Sequence, residues 1–145
     1  IVNNNGSVKI SNTTLKTTKK MKSLENVNIL VVEDNEDNMD FLRQLLHKFG
    51  ANVFLAKSGE EAIESVKKND KIKIVLMDIR LPDIDGFETT QRIKALKPTL
   101  PVIAQTAYAM YNDRELCLQN GCDDYISKPL DKDILFQKIN QYIYN

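Results

Sequence analysis

From Val27 onward the chain alternates between short apolar runs and longer stretches in which apolar residues recur three and four apart. Val27–Val32 is apolar with Asn28 as its one polar interruption, the pattern of a buried strand. In the stretch from Asn35 to Phe49, Met39, Leu42, Leu45, Leu46 and Phe49 fall on one helical face, and Gly50 is placed to end the helix. Asn52–Leu55 predicts a short strand. Ser58 is placed to cap a second helix through Ala62, Ile63 and Val66, with Glu61 at the capping-box position. Lys73–Met77 predicts a third strand, followed by a loop containing Gly86 and a helix over about 87–96. Pro98 and Pro101 bound the next turn. Val102–Gln105 is the fourth strand, residues 108–120 are helical with Gly121 as their stop, and Tyr125–Ser127 is a short fifth strand. Asp131 caps a last helix carrying Ile134, Leu135, Ile139 and Ile143.

Strict alternation of strands and helices with short connections predicts an α/β fold, a parallel sheet covered by helices on both faces. Right-handed crossovers leave few topologies. The natural one is a doubly wound, flavodoxin-like sheet of five parallel strands in the order 2-1-3-4-5 with five helices, whose switch point lies between strands one and three.

Composition bounds the rest. The chain has 145 residues, enough for one domain with a tail, and 42% of them are hydrophobic, an ordinary share for a globular protein. Residues 1–25 are rich in Asn, Ser, Thr and Lys without periodicity and read as a linker or basic tail, with the domain over 26–145. That tail carries five lysines against Glu25, so the remainder is acidic by the same margin, the formal net charge being zero. Five scattered lysines without arginine or aromatics fit a solvated linker better than a nucleic-acid arm, so no direct nucleic-acid contact is expected. No run has the length of a membrane span, so no membrane contact is expected of this segment. Cys117 and Cys122 match neither a disulfide framework nor a zinc pattern, which points to a reduced, cytoplasmic setting. The first residue is not methionine, which fits a piece of a longer protein, itself compatible with a membrane anchor elsewhere.

The chemistry lies where the strands stop. The first ends in Glu33-Asp34, the third in Asp78, the fourth in Thr106 and the fifth in Lys128-Pro129. In a parallel sheet these ends gather at the carboxyl edge, where such folds bind ligands. Carboxylates about 4 Å apart repel by roughly 1 kcal/mol in water and about 4 kcal/mol at an effective dielectric near 20. The cluster therefore calls for a cation, and an oxygen-only donor set favours Mg²⁺ or Mn²⁺. An aspartate beside such an ion is suited to forming an acyl phosphate. The Lys128 ammonium and the Thr106 hydroxyl both suit phosphate oxygens.

Leu30-Val31-Val32-Glu33-Asp34-Asn35 with Asn38, Val75-Leu76-Met77-Asp78-Ile79-Arg80-Leu81-Pro82-Asp83-Ile84-Asp85-Gly86, Thr106-Ala107 and Asp123-Asp124-Tyr125-Ile126-Ser127-Lys128-Pro129 resemble a response-regulator receiver domain. The resemblance covers about residues 26–145. Asn35 with Asn38, Ala109-Met110 and Asp113-Arg114-Glu115 look most like the C-terminal receiver of a hybrid sensor histidine kinase. It implies that Asp78 accepts a phosphoryl group from phosphohistidine, and that Glu33, Asp34, Asp78 and the backbone carbonyl of Arg80 hold Mg²⁺. It implies that Lys128 contacts the phosphoryl group, that Thr106 and Tyr125 switch together, that Ala107 leaves room for phosphate, and that a cis bond precedes Pro129. The partners it implies are a histidine kinase's dimerisation and phosphohistidine domain or a histidine phosphotransfer protein. Such a domain catalyses only its own phosphorylation and dephosphorylation, whereas a hybrid kinase parent is a phosphotransferase.

Each of these residues taken singly has a blander reading. Glu33-Asp34, Asp78 or Thr106 alone would cap a helix, and Lys128 alone would be a surface charge. Their joint placement at four strand ends favours the phosphoryl site. His47 sits near the end of the first helix with no catalytic partner in view and reads as a favourable helix-end charge. Phe41, Met39 and Leu42 include core positions and a candidate docking patch. A stand-alone response regulator and a pseudo-receiver are alternative readings, the latter disfavoured because no motif residue is missing. A haloacid-dehalogenase-type phosphatase needs a second acid where Arg80 stands. Arg80 and Tyr108 flank the site and are expected to modulate phosphate lifetime.

Overall fold

The computed structural model describes residues 21–107 and 111–144. The elements follow the predicted alternation: β1 (Asn28–Val32), α1 (Glu36–Lys48), β2 (Asn52–Ala56), α2 (Gly59–Lys68), β3 (Ile74–Asp78), α3 (Gly86–Leu96), β4 (Val102–Thr106), α4 (Tyr111–Gln119), β5 (Asp124–Ser127) and α5 (Lys132–Tyr144). All strand pairings are parallel, and the sheet order is β2-β1-β3-β4-β5. Tyr108 and the basic tail through Lys20 lie outside the described residues.

Side chains of a strand alternate between faces, and the two halves of the core divide on that rule. Ile29, Val31, Ile74, Leu76, Ile103 and Ile126 pack with Leu42 and Leu46 of α1 and Leu135 and Ile139 of α5. Leu30, Val32, Val75, Met77, Val102 and Ala104 pack on the other face with Ala62, Ile63 and Val66 of α2, Ile93 of α3 and Cys117 of α4. β3 and β4 lie inside the sheet and are buried throughout. β2 is its edge, so Phe54 and Leu55 are exposed although their run reads as apolar.

The predicted caps Ser58 and Asp131 and the predicted stops Gly50 and Gly121 are in place, and Asn35 and Asp85 are caps beside them. Asn35, Ser58 and Asp85 accept from the backbone N–H groups of Asn38, Glu61 and Glu88, and Asp131 accepts from Asp133 and Ile134. Gly50 and Gly121 follow α1 and α4 with φ of 95° and 96°. Glu61 reaches back to the N–H of Lys57, one residue before the cap. Cys117 and Cys122 are buried and not joined in a disulfide. A hydrogen bond to Cys117, together with burial, pushes the Cys122 thiol far above its ordinary range.

Residues 21–25, read from sequence as part of the linker or tail, enter the core. Leu24 is fully buried, and its N–H donates to the carbonyl of Phe49 at the end of α1. The buried Asn140 side chain of α5 accepts from Lys22 N–H at 2.6 Å and donates to Lys22 C=O at 2.9 Å. The Tyr144 hydroxyl donates to the carbonyl of Ser23. This strap crosses the amino-edge end of α1 and α5, the pole opposite the strand ends that carry the candidate chemistry.

Candidate functional site

The parity that sorts the core also builds the site. Continuing the row Ile29, Val31 leads to Glu33, and Ile74, Leu76 leads to Asp78. Ile103 leads to Gln105, and Ile126 leads to Lys128. The register Asp78↔Gln105↔Ile126 sets these residues on adjacent strands at the carboxyl edge. The predicted residues thus meet because each strand stops at the same level.

One carboxylate oxygen from each of Glu33, Asp34 and Asp78 lies within 4.8 Å of the other two. Glu33 and Asp78 are buried, at 1% and 5% exposure, whereas Asp34 faces solvent. Lys128 Nζ stands 3.4 Å from Glu33 Oε1 and 3.6 Å from Asp78 Oδ1, longer than a tight charge-assisted hydrogen bond. Asp78 Oδ1 also accepts from Arg80 N–H at 3.0 Å, and Glu33 Oε2 from Asn35 N–H at 3.2 Å. Burial raises the Glu33 carboxyl above its ordinary range. A hydrogen bond shared with Asp78 and the Asp78 charge push the same way, against the Asn35 N–H and Lys128. One ammonium leaves three crowded carboxylates under-compensated, and every donor is oxygen. The residues fit a hard divalent cation.

A cleft of about 410 Å³ opens over these groups. Thr106, Ala107, Arg80 and Phe87 line it together with the acids and Lys128. Thr106 is buried, and the Lys128–Pro129 bond is cis, as the resemblance implies. Tyr125 is half-buried one strand away, with Lys138 Nζ 5.3 Å from its ring centroid. His47 is exposed in the last turn of α1, away from the cleft.

The loop after β3 is fixed by two aspartates and a close approach. Asp85 caps α3, and the two oxygens of Asp83 accept from Gly59 and Glu60 N–H at the start of α2, each at 2.9 Å. Desolvation acts against the Asp83 carboxylate, but the N–H groups of Glu60 and Gly59, with those of Ile84 and Asp83, outweigh it and hold its carboxyl below the usual range. A Cβ on Gly86 would sit 2.6 Å from Ile79 Cα and closer still to the carbonyl oxygen of Asp78, so only glycine lets α3 start this near the site.

Sequence reasoning passed over two members of this neighbourhood. Asp83 acts across the fold on a helix it does not precede, and no local pattern marks that. Gln105 is 1% exposed and lines the cleft, yet neither its Oε1 nor its Nε2 has a hydrogen-bond partner among the described residues. Its signal was a polar residue at a core-parity position of a buried strand.

Residues 29–140 match the family described as the response regulator receiver domain. The chain is 41% identical over 111 residues to the transcriptional regulatory protein ZraR of Escherichia coli K12, a match spanning 77% of this chain but 25% of ZraR. It is thus a fraction of that relative's length. The receiver domain of the Pseudomonas aeruginosa sensor histidine kinase PA1611, solved with magnesium in its active-site cleft, is 36% identical with a TM-score of 0.77 over 83% of this chain and 99% of that one. The receiver of Saccharomyces cerevisiae Ssk1, solved in complex with the histidine phosphotransfer protein Ypd1, is 29% identical with a TM-score of 0.78, covering 85% of this chain and 92% of that one.

Proposed function

The chain belongs to the response regulator receiver domain family of two-component phosphorelay signalling, and from that premise we propose that Asp78 is its phosphoryl acceptor. The observation that carries the proposal is the meeting of Asp78 with Glu33, Asp34 and Lys128 at the floor of the cleft. A carboxylate oxygen of Asp78 forms a P–O bond while the P–N bond of the donor imidazole breaks, and the electron pair returns to the ring nitrogen. Lys128 lies close enough to follow the charge onto the phosphoryl oxygens, Thr106 offers a hydroxyl to them, and Ala107 keeps that side of the cleft open. Glu33, Asp34 and Asp78, with the Arg80 carbonyl, would hold a divalent cation, Mg²⁺ or Mn²⁺, which would neutralise the charge that gathers there. Thr106 and Tyr125 form the switch, biasing a two-state equilibrium with α4, while Arg80 and Tyr108 modulate the lifetime of the phosphate.

The partner presents a phosphohistidine, on either a kinase domain or a phosphotransfer protein, and docks over exposed Phe41 of α1 beside Pro129. The Ssk1–Ypd1 complex supports that class of partner, and the PA1611 receiver supports both Mg²⁺ and an origin within a histidine kinase. Among the described residues no helix is long and apolar enough to cross a membrane. Incubation with acetyl phosphate and Mg²⁺ followed by mass spectrometry tests the acceptor: one phosphoryl adduct is expected on the wild type and none on Asp78→Ala. An equal adduct on both proteins refutes the assignment.

A further inference from the structure

Gln105 is a buried polar residue of the cleft that the phosphoryl-transfer reading leaves without a task. A buried amide with both polar atoms unpaired is destabilising, and an apolar side chain of the same length would avoid the cost. Its place is suggestive. It is in register with Asp78 on one side and Ile126 on the other, and it shares their face of the sheet, the face from which Lys128 reaches the acids. Neighbouring strands lie about 4.8 Å apart, so its carboxamide stands within side-chain reach of both Asp78 and Lys128. The Lys128 ammonium has three N–H donors and, among the described residues, makes two long contacts to carboxylates. Beside it a second cavity of about 170 Å³ opens between α1 and the Pro129 turn, lined by Gln105, Lys128, Phe41, Leu42 and Leu130. That space lets both side chains rearrange without moving the backbone.

We propose that Gln105 is a positioning residue for Lys128: its amide oxygen accepts one ammonium N–H when phosphoryl transfer draws Lys128 away from Glu33, and so aims the remaining donors at the phosphoryl oxygens. The inference rests on Asp78 being the acceptor. Before transfer the amide is unpaired, and in the transferring complex it gains a charge-assisted bond, so the bond favours the reaction rather than the resting fold. A hydrogen bond to a charged group, lost only in the transferring complex, corresponds to a rate loss of roughly tenfold.

The test compares Gln105→Met, Lys128→Ala and the double variant with the wild type, using acetyl phosphate with Mg²⁺ and following adduct formation by mass spectrometry alongside thermal melting. Gln105→Met is expected to melt at or above the wild-type temperature, to accept phosphoryl roughly tenfold more slowly, and to cause no further slowing on the Lys128→Ala background. If Gln105→Met does not fold, Gln105→Leu is read in the same way. A wild-type rate in the single variant overturns the proposal, as does an equal slowing with and without Lys128, which a merely structural role would give. A wild type that gains no adduct overturns the acceptor reading itself, a result distinct from either.

Discussion

Replacing Glu33 with glutamine is expected to stabilise the metal-free protein at neutral pH. Glu33 lies within 4.8 Å of Asp78, a repulsion of about 3.5 kcal/mol or more at an effective dielectric near 20. It also lies 3.4 Å from Lys128, an attraction of about 5 kcal/mol on the same scale. These two nearly cancel, so the cost of burying the ion decides the sign, and that cost is several kcal/mol for a carboxylate. Glutamine keeps the shape and an oxygen for the Asn35 N–H, and a net gain of about 1–3 kcal/mol is expected. The pH dependence follows from the raised carboxyl. The folded state holds the Glu33 proton more tightly than the unfolded chain does, so this contribution to wild-type stability is fully present below the unfolded value of 4.5 and is lost as pH rises through the folded one. The advantage of the variant is therefore largest near pH 7 and shrinks in mild acid. Magnesium works against this advantage: at a hundred times its Kd it adds about 2.7 kcal/mol to a protein that binds it, and the variant would lack one of the proposed ligands. Urea unfolding at pH 7 and pH 5, with and without Mg²⁺, reads all of these terms. A Glu33→Gln protein less stable than the wild type at pH 7 without divalent ions would show that the Lys128 attraction outweighs burial, and the reasoning would fail.

Gly86→Ala is expected to cost about 1–3 kcal/mol by overpacking against Asp78 and Ile79, and to slow phosphorylation by up to about 10²-fold as the acceptor shifts; wild-type values in urea unfolding and in adduct formation would contradict the close approach. Asp83→Ala removes both acceptors from the start of α2 and should lower the melting temperature by about 3–6 °C. Because the Asp83 carboxyl is held low, that difference should be present above pH 4 and fade as pH falls through its folded value; a difference that persists in strong acid argues for another cause. Leu24→Ala should cost about 2–5 kcal/mol in chemical denaturation, whereas a loss under 1 kcal/mol would mean that the strap is not part of the core.

The sheet and its reactive edge were legible because both rest on local patterns. Apolar runs that stop at Glu33, Asp78, Thr106 and Lys128 mark strands, and strict alternation with helices makes them parallel, which is enough to bring the four residues together. What sequence periodicity does not encode is contact between distant segments. Leu24 and Asn140 are 116 positions apart, and a single leucine among polar residues looks like a linker until Phe49 and α5 supply its surroundings. Asp83 reads as a turn former, and its grip on α2 depends on how two loops meet. The exposure of Phe54 and Leu55 was not legible, because the composition of an edge strand resembles that of a central one. Gln105 was visible as a letter but carried no meaning, since its interest comes from burial without a partner.

The strap has a practical consequence. Lys22 through Leu24 are fastened to the ends of α1 and α5 that lie farthest from Asp78, with the length of a five-residue strand, about 16 Å, between the two poles. The described chain thus starts beneath the sheet, on the side away from the cleft. A fluorophore, an affinity handle or a biosensor surface joined ahead of the strap would hold the domain with its acidic mouth turned outward. Attachment by that end therefore preserves access for an incoming phosphodonor, where the same attachment near Phe41 or Pro129 would obstruct it.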